Sequence, residues 1–204
     1  MAANKFLKRM DALHGGHRQI SSDPLTVLAI LFGALIHDAD HRGVSNSRLI
    51  EEDKEIAAKY GNKSPAEQNS LDTAWDLLMH DEKFHDLKEC LFHSDEDLQH
   101  FRQVFVNAVL ATDIFCPDLN RSRNDQWEKA FSSKEQARSL SDEEQNGIRA
   151  PVVIQLLMQA SDVSHTMQNW HIYRKWNQQL FEEMYSAFMA GRMEKDPSQF
   201  WYKG

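Results

Sequence analysis

The sequence predicts an all-α protein, folded as a bundle of many helices. Glycine and proline are sparse, with 8 Gly and 5 Pro among 204 residues, and no segment shows the apolar and polar alternation of a half-buried strand. Apolar residues instead recur every three or four positions, which is the period of a helix that buries one face. These observations predict a core that is built from helices alone.

The first core helix is predicted from a capping signal. Asp23 is a preferred N-cap residue, and Pro24 suits the first helical position because its fixed φ matches a helix and its missing N–H is not needed there. The following segment, 25–37, is almost entirely apolar. A helix that is apolar on all sides is expected to lie at the centre of the protein.

Two further helices are predicted before residue 80. Residues 47–59 form a polar segment that is rich in glutamate and alanine, as in a helix on the surface. Ser64 and Glu67 have the spacing of a capping box, in which a serine hydroxyl and a glutamate carboxylate satisfy backbone N–H groups at a helix start. We therefore expect a helix over 64–79.

The second half of the chain continues the helical pattern. Residues 98–112 have apolar side chains at helical spacing and predict a core helix. Residues 120–146 are charged and predict a solvent-exposed helix with loops, whereas 151–161 predict a separate buried helix. A long amphipathic helix is expected over 171–192. We expect one domain, because 204 residues can bury a substantial core.

Composition limits the classes of function. With 41% hydrophobic and 26% charged residues the chain has the composition of a globular protein. A net charge of −8 argues against a nucleic-acid partner, which would require a basic surface. No apolar run approaches the roughly 18–20 residues of a membrane span. Cys90 and Cys116 lack CxxC spacing and no leader is recognisable, so we expect free thiols and a cytoplasmic location.

A dense polar cluster directly follows the first core helix. His37, Asp38, Asp40 and His41 are four metal-competent side chains within five residues. If the helix continued through them, His37 and His41 would lie on one face, because they are four residues apart. Imidazole suits Zn²⁺, and carboxylate oxygens suit Mg²⁺ or Mn²⁺. The sequence therefore predicts a metal site at the ends of core helices, with a helix cap beside a surface histidine as the alternative.

This cluster also carries a family resemblance. Residues 35–46 resemble the second metal-binding signature of the class I cyclic nucleotide phosphodiesterases, an all-helical branch of the HD superfamily. Residues 64–71 are similar to the family's Glu-Asn-His-His helix start, although only the glutamate is retained in register. Residues 110–113 are identical to its Leu-Ala-Thr-Asp, and 158–164 resemble its Ala-Asp-Leu-Ser segment. These matches follow in the family's order and imply its helical bundle.

The resemblance implies two divalent metal ions. A tight, Zn²⁺-like ion would be bound by His37, Asp38 and Asp162. Asp38 would also bridge to a second ion, Mg²⁺ or Mn²⁺, which would keep several of its waters. Asp162 follows a short apolar run in which an unpaired carboxylate would be costly, so a ligand role is favoured there.

Further roles are implied for residues around the metals. His41, Glu67 and Thr112 match positions that form hydrogen bonds to metal-bound water, and Asp113 matches one that orients a water or the leaving-group acid. With Asp38, the residues His41, Glu67 and Asp113 are the candidate catalytic residues. The alternatives are that Glu67 only caps its helix and that Asp113 is an ordinary loop residue.

The implied function is metal-dependent hydrolysis of the 3′,5′-cyclic nucleotides cAMP or cGMP to 5′-monophosphates. The preference between them stays open, because His165 stands where the family has an asparagine near the nucleotide. A catalytically impaired metal- or nucleotide-binding module is the non-enzymatic alternative. A different HD-superfamily hydrolase would explain His37 and Asp38 but not the ordered matches after them. The oligomeric state also stays open.

Two family features are not found in residues 1–204. The first is the signature His-Asn-x-x-His-Ala, which supplies the general-acid histidine and a metal ligand. His14 and His17 lie beside two glycines in an expected loop, so we do not expect them to replace it. The second is the purine-clamping glutamine and aromatic near the end of the domain. We therefore expect 1–204 to be a partial catalytic domain with little activity on its own.

Overall fold

The structure, a computed structural model, describes residues 2–12, 20, 22–132 and 141–199. This part of the chain confirms the all-α prediction, because it contains ten α-helices and no strand. The helices are α1 (Ala2–Ala12), α2 (Pro24–Ile36), α3 (Asn46–Glu52), α4 (Lys54–Lys59), α5 (Pro65–His80), α6 (His85–Leu91), α7 (Asp95–Leu110), α8 (Pro117–Trp127), α9 (Asp142–Asp162) and α10 (Trp170–Met189).

Helix α2 begins as the sequence predicts. Asp23 accepts hydrogen bonds from the backbone N–H groups of Leu25 and Thr26, each at 3.1 Å. The same carboxylate is 2.7 Å from Nε2 of His100 on α7, which joins the start of α2 to a second core helix. This cap fixes the orientation of α2, whose other end carries the candidate metal ligands.

Helices α2 and α7 form the centre of the molecule. They pack closely at Gly33, where an added Cβ would lie 3.4 Å from Cβ of Ala108. Both helices contribute to two buried apolar clusters. The first cluster consists of Ala3, Leu7, Ile20, Ile30, Ala108, Ala111, Ile154, Leu157 and Met158. The second consists of Ala29, Leu71, Ala74, Leu78, Phe101, Phe105 and Val109. The core is therefore built around the α2–α7 pair, with α1 and α9 on one side and α5 on the other.

The predicted single helix over 47–59 is wrong, because the chain forms two short helices there. Asp53 lies between α3 and α4 with an extended backbone, at φ −123° and ψ 92°. Its carboxylate accepts a hydrogen bond from the N–H of Ile56 at 3.0 Å. Aspartate is a stronger N-cap than helix-interior residue, so Asp53 ends one helix and starts the next.

The predicted boundary before 151 is also wrong. Pro151 lies inside α9, which runs without a break from Asp142 to Asp162. Proline cannot donate to the carbonyl four residues earlier. That carbonyl belongs to Gly147, which is exposed to solvent, so water can replace the missing bond. The helix continues because the cost of the proline falls on its exposed face.

Helix α10 has no buried residue, and ion pairs attach the segment that follows it. Arg192 donates to both carboxylate oxygens of Glu52, with the shortest contact at 2.7 Å, and Arg48 donates to the same carboxylate at 2.8 Å. The bonds from Arg192 and then Arg48 lower the pKa of Glu52 to about 2. These contacts link the end of α10 to α3.

Within the described residues, no helix is long and apolar enough to cross a membrane.

Candidate metal centre

The chain turns sharply after α2, at the first candidate ligand. His37 follows the last residue of α2, and the backbone then forms a turn in which the N–H of His41 donates to the carbonyl of Asp38 at 3.1 Å. Asp40 has φ +60°, in the left-handed region. The helix does not continue through His41, because a left-handed residue cannot extend a right-handed helix. His41 instead accepts a hydrogen bond from the N–H of Gly43 at its Nδ1, at 3.2 Å.

The three predicted ligands converge. His37 Nε2 lies 3.3 Å from Oδ2 of Asp38 and 3.3 Å from Oδ1 of Asp162. Asp162 is the last residue of α9. One ligand atom from each residue lies within 4.8 Å of the other two. The ends of α2 and α9 thus bring together an imidazole and two carboxylates from positions 125 residues apart in sequence.

The electrostatics of this cluster suit a cation. The hydrogen bond to Asp162 raises the pKa of His37, and the charges of Asp38 and Asp162 act in the same direction, while burial of the ring opposes them. The carboxylate side chains remain accessible, at 67% exposure for Asp38 and 41% for Asp162. A divalent cation could replace the proton on Nε2 and take its remaining ligands from solvent. The donor set therefore fits a metal ion.

A small cavity of about 190 Å³ lies next to these residues. It is lined by Ala2, Ala3, Ala34, His37, Thr112, Met158, Ser161, Asp162 and Ser164. Thr112 donates its hydroxyl to the carbonyl of Val109 at 2.7 Å, so only the oxygen lone pairs face other partners. Thr112 therefore lines the same cavity as His37 and Asp162.

Asp113 lies in a separate polar cluster and is almost fully buried, with 6% exposure. Its Oδ2 accepts hydrogen bonds from the hydroxyl of Ser64 at 2.6 Å and the side-chain amide of Asn46 at 3.2 Å. Its Oδ1 accepts from the backbone N–H groups of Phe115 and Cys116, at 3.0 and 3.1 Å. With four donors on one carboxylate, Asp113 connects three segments of the chain.

Glu67 lies in the same cluster. Its Oε2 accepts a hydrogen bond from the Asn46 amide at 2.9 Å. Burial raises the pKa of Glu67 above its usual value of 4.5, and the bond from Asn46 and the charge of His41 oppose this shift. The effect of His41 shows that the Glu67 carboxylate lies within electrostatic range of the turn after α2, which carries the candidate ligands.

The predicted capping box at Ser64 and Glu67 is wrong. Ser64 has a left-handed backbone, with φ 41° and ψ 51°, and makes no side-chain cap to α5. Its hydroxyl donates to Asp113 instead. The left-handed conformation turns the serine away from its own helix. Ser64 and Glu67 therefore contact other segments of the chain, through Asp113 and Asn46 respectively.

Two hydrogen bonds connect α5 to the turn between His37 and His41. Ser70 donates its hydroxyl to the carbonyl of Ala39 at 2.8 Å, and Asn69 donates to Asp40 Oδ2 at 3.1 Å. The structure thus places His37, Asp38, Asp162 and Thr112 in one group, and Glu67 with Asp113 in a neighbouring one.

Sequence reasoning gave no role to Asn46 or to the Ser64–Asp113 bond. Asn46 ends the His-Asp-x-Asp-His-x-Gly-x-x-Asn pattern, which is the signal that could have identified it. His165 lies in a short helical turn after α9, whereas His14 and His17 are outside the described residues.

Comparison with known proteins adds an independent observation. A family model described as 3′5′-cyclic nucleotide phosphodiesterase matches residues 8–199. The dual specificity calcium/calmodulin-dependent 3′,5′-cyclic nucleotide phosphodiesterase 1C of Mus musculus is 29% identical over 161 residues, covering 79% of this chain and 20% of that protein. The 1B protein of Homo sapiens is 27% identical over the same length, covering 27% of that protein. The chain spans about a fifth to a quarter of the length of these relatives.

Proposed function

Because the chain belongs to the 3′,5′-cyclic nucleotide phosphodiesterase family, we propose that it hydrolyses cAMP or cGMP to the 5′-monophosphate in cyclic nucleotide signalling. The observation that carries this proposal is the convergence of His37, Asp38 and Asp162 at the ends of two core helices. A phosphodiester is an anion, and this acidic chain needs local positive charge to bind one. Bound divalent metal would provide that charge.

The metal requirement follows from the ligand chemistry. One imidazole and two carboxylates would hold a Zn²⁺-like ion at His37, Asp38 and Asp162. Asp38, the most exposed of the three, would also serve a second ion, Mg²⁺ or Mn²⁺. When bound, such ions lower the pKa of water and stabilise negative charge that develops on the phosphate.

The residues around the ligands have distinct roles in the proposal. In this proposal, a water molecule is held near the phosphorus atom. It is oriented by hydrogen bonds with His41, Glu67 and Thr112. Asp113 already accepts four hydrogen bonds. Its contribution is therefore to position the segments that carry Glu67 and Thr112.

A second candidate function is metal or nucleotide binding without turnover. The observation that favours it is that no His-Asn pair occurs anywhere in the 204 residues, so the family's acid signature is not found. Without a general acid, residues 1–204 would turn over more slowly by about 10²–10⁴. For either function we propose a cytoplasmic location, and the free thiols of Cys90 and Cys116 support this proposal.

A hydrolysis assay separates the two candidates. We expect the purified 204-residue chain, with cAMP or cGMP and Mn²⁺, to turn over well below about 1 s⁻¹, an ordinary lower value for enzymes. The residual activity should disappear on chelation and in Asp162→Asn. Metal binding without any detectable hydrolysis would support the binding module. Turnover that survives chelation would contradict the metal-dependent mechanism.

A further inference from the structure

Asn46 connects three segments of the chain through one side chain. Its Nδ2 donates to Oε2 of Glu67 at 2.9 Å and to Oδ2 of Asp113 at 3.2 Å. Its Oδ1 accepts from the backbone N–H of Ala66 at 3.0 Å. A side-chain amide has two protons to donate and one oxygen to accept. All of these polar groups in Asn46 therefore have partners.

The helix in which Asn46 lies does not need this side chain. Asn46 is the first residue of α3, but the N-cap of that helix is Ser45, whose hydroxyl oxygen accepts from the N–H of Arg48 at 3.4 Å. The Asn46 amide points instead at the start of α5 and at the loop after α7. Its contacts therefore serve the polar cluster between these segments.

The carboxylates of Glu67 and Asp113 repel each other, and the donor that they share offsets this repulsion. Burial raises the pKa of Glu67, and the charge of Asp113 raises it further. The bond from Asn46 acts in the opposite direction. A carboxylate in a partly buried position needs such donors to remain in one place and ionised. Asn46 supplies one proton to each carboxylate.

We infer that Asn46 is a positioning residue, which holds the Glu67 carboxylate beside the turn that carries His37 and Asp38. It acts through Glu67 and does not touch the substrate. This inference depends on the proposed function, because only there does Glu67 orient water at the metal centre. It assigns to the last residue of the sequence pattern the task of joining Glu67 to Asp113.

The test compares three variants of the purified chain. Asn46→Ala removes all three bonds, and Asn46→Ser leaves a single proton that can serve only one carboxylate. Ser45→Ala is the matched control, because it removes the cap of α3 and leaves the polar cluster intact. Two properties are measured in each: the titration of the Glu67 carboxyl by ¹³C NMR, and the affinity for Mn²⁺ by calorimetry.

The charged groups that act on Glu67 from neighbouring elements are Asp113 after α7, His41 after α2 and Arg123 on α8. None of these changes in the variants. We expect Asn46→Ala to raise the pKa of Glu67 and to weaken Mn²⁺ binding by about tenfold, the lower end of the effect of removing a residue that supports a metal site. Asn46→Ser should fall between it and the wild type. Ser45→Ala should lower stability and leave both properties unchanged.

Each outcome bears on one claim. A folded Asn46→Ala with unchanged Glu67 titration and unchanged Mn²⁺ affinity would overturn the inference. If Asn46→Ala does not fold, Asn46→Ser decides the question by the same two measurements. If the wild type binds no Mn²⁺, the proposed function fails, and the inference fails with it as a statement about the metal centre. The Glu67 titration would then still show whether Asn46 controls that carboxylate.

Discussion

At the scale of the residue, His37 is the group on which the candidate metal centre depends most. Its Nε2 faces two carboxylates, while its Nδ1 is buried. In the absence of metal, a proton on Nε2 is stabilised by both acids. A metal ion bound at this site would therefore compete with a proton for the same nitrogen.

This competition gives a pH prediction. The bond to Asp162 raises the pKa of His37 above its usual 6.5. In the metal-free chain the protonated ring therefore adds stability below 6.5, and this contribution is lost as the pH rises through the raised pKa. We expect histidine NMR titration to give a His37 midpoint above 6.5, and a lower one in Asp162→Asn. Asp86→Asn, beside the exposed His85, is the control. An unchanged midpoint in Asp162→Asn would contradict the assignment.

The sequence identified the charged residues of the site better than the neutral ones. His37, Asp38 and Asp162 could be proposed because ionisable groups next to apolar runs are costly and need an explanation. Asn46 and Ser64 carry no such cost, and each contacts Asp113, which is 67 and 49 residues away. Contacts of this kind depend on how segments meet in the fold, and local patterns do not report them.

At the scale of the element, three helices were predictable from a cap signal or from apolar spacing, although the cap expected at Ser64 of α5 does not form. Helices α2, α5 and α7 lie close to their predicted ranges 25–37, 64–79 and 98–112. The break at Asp53 and the continuation through Pro151 were missed. In both cases the outcome depends on whether a backbone group can find water or a side-chain partner, which the local pattern does not show.

Two helix glycines give a prediction at this scale. An added Cβ at Gly147 of α9 would meet nothing within 4 Å, whereas at Gly33 of α2 it would meet Ala108 at 3.4 Å and Val109 at 3.5 Å. Alanine is favoured over glycine in a helix by about 0.5–1 kcal/mol. We expect Gly147→Ala to stabilise the chain by that amount in urea unfolding, and Gly33→Ala to have little net effect.

A larger side chain at Gly33 is the informative extension. Gly33→Leu should destabilise the chain by about 1–3 kcal/mol or more, because it forces α2 and α7 apart. Gly147→Leu is the matched control and should be tolerated. If both leucine variants had the same stability, the close packing of α2 on α7 would not be correct.

At the scale of the whole molecule, the candidate metal centre and the core are parts of one structure. The candidate ligands follow α2 and end α9, and both helices contribute side chains to the same buried cluster. A ligand that binds only the folded chain stabilises it by mass action, by about 2.7 kcal/mol when its concentration is 100 times Kd. Metal binding should therefore be visible as global stability.

The expected result is a rise in Tm when Mn²⁺ or Zn²⁺ is added to the metal-free chain. For a protein of this size, about 2–4 °C is expected for each kcal/mol. Asp162→Asn should lose most of the rise, and Glu67→Gln should keep part of it, since in the proposed function Glu67 would act through water and not as a ligand. Differential scanning fluorimetry measures the rise in Tm. An equal rise in the wild type and in Asp162→Asn would mean that the metal binds elsewhere.

The most direct test of the metal centre is the metal content of the purified protein. Wild type, Asp38→Ala and His41→Ala are loaded with Zn²⁺ and Mn²⁺, dialysed, and measured by elemental analysis. Asp38 lies in the group of three ligand atoms within 4.8 Å, whereas His41 accepts from Gly43 and is outside that group. We predict that Asp38→Ala loses most of the bound metal and His41→Ala retains most of it. Equal metal content in the wild type and Asp38→Ala would contradict the account.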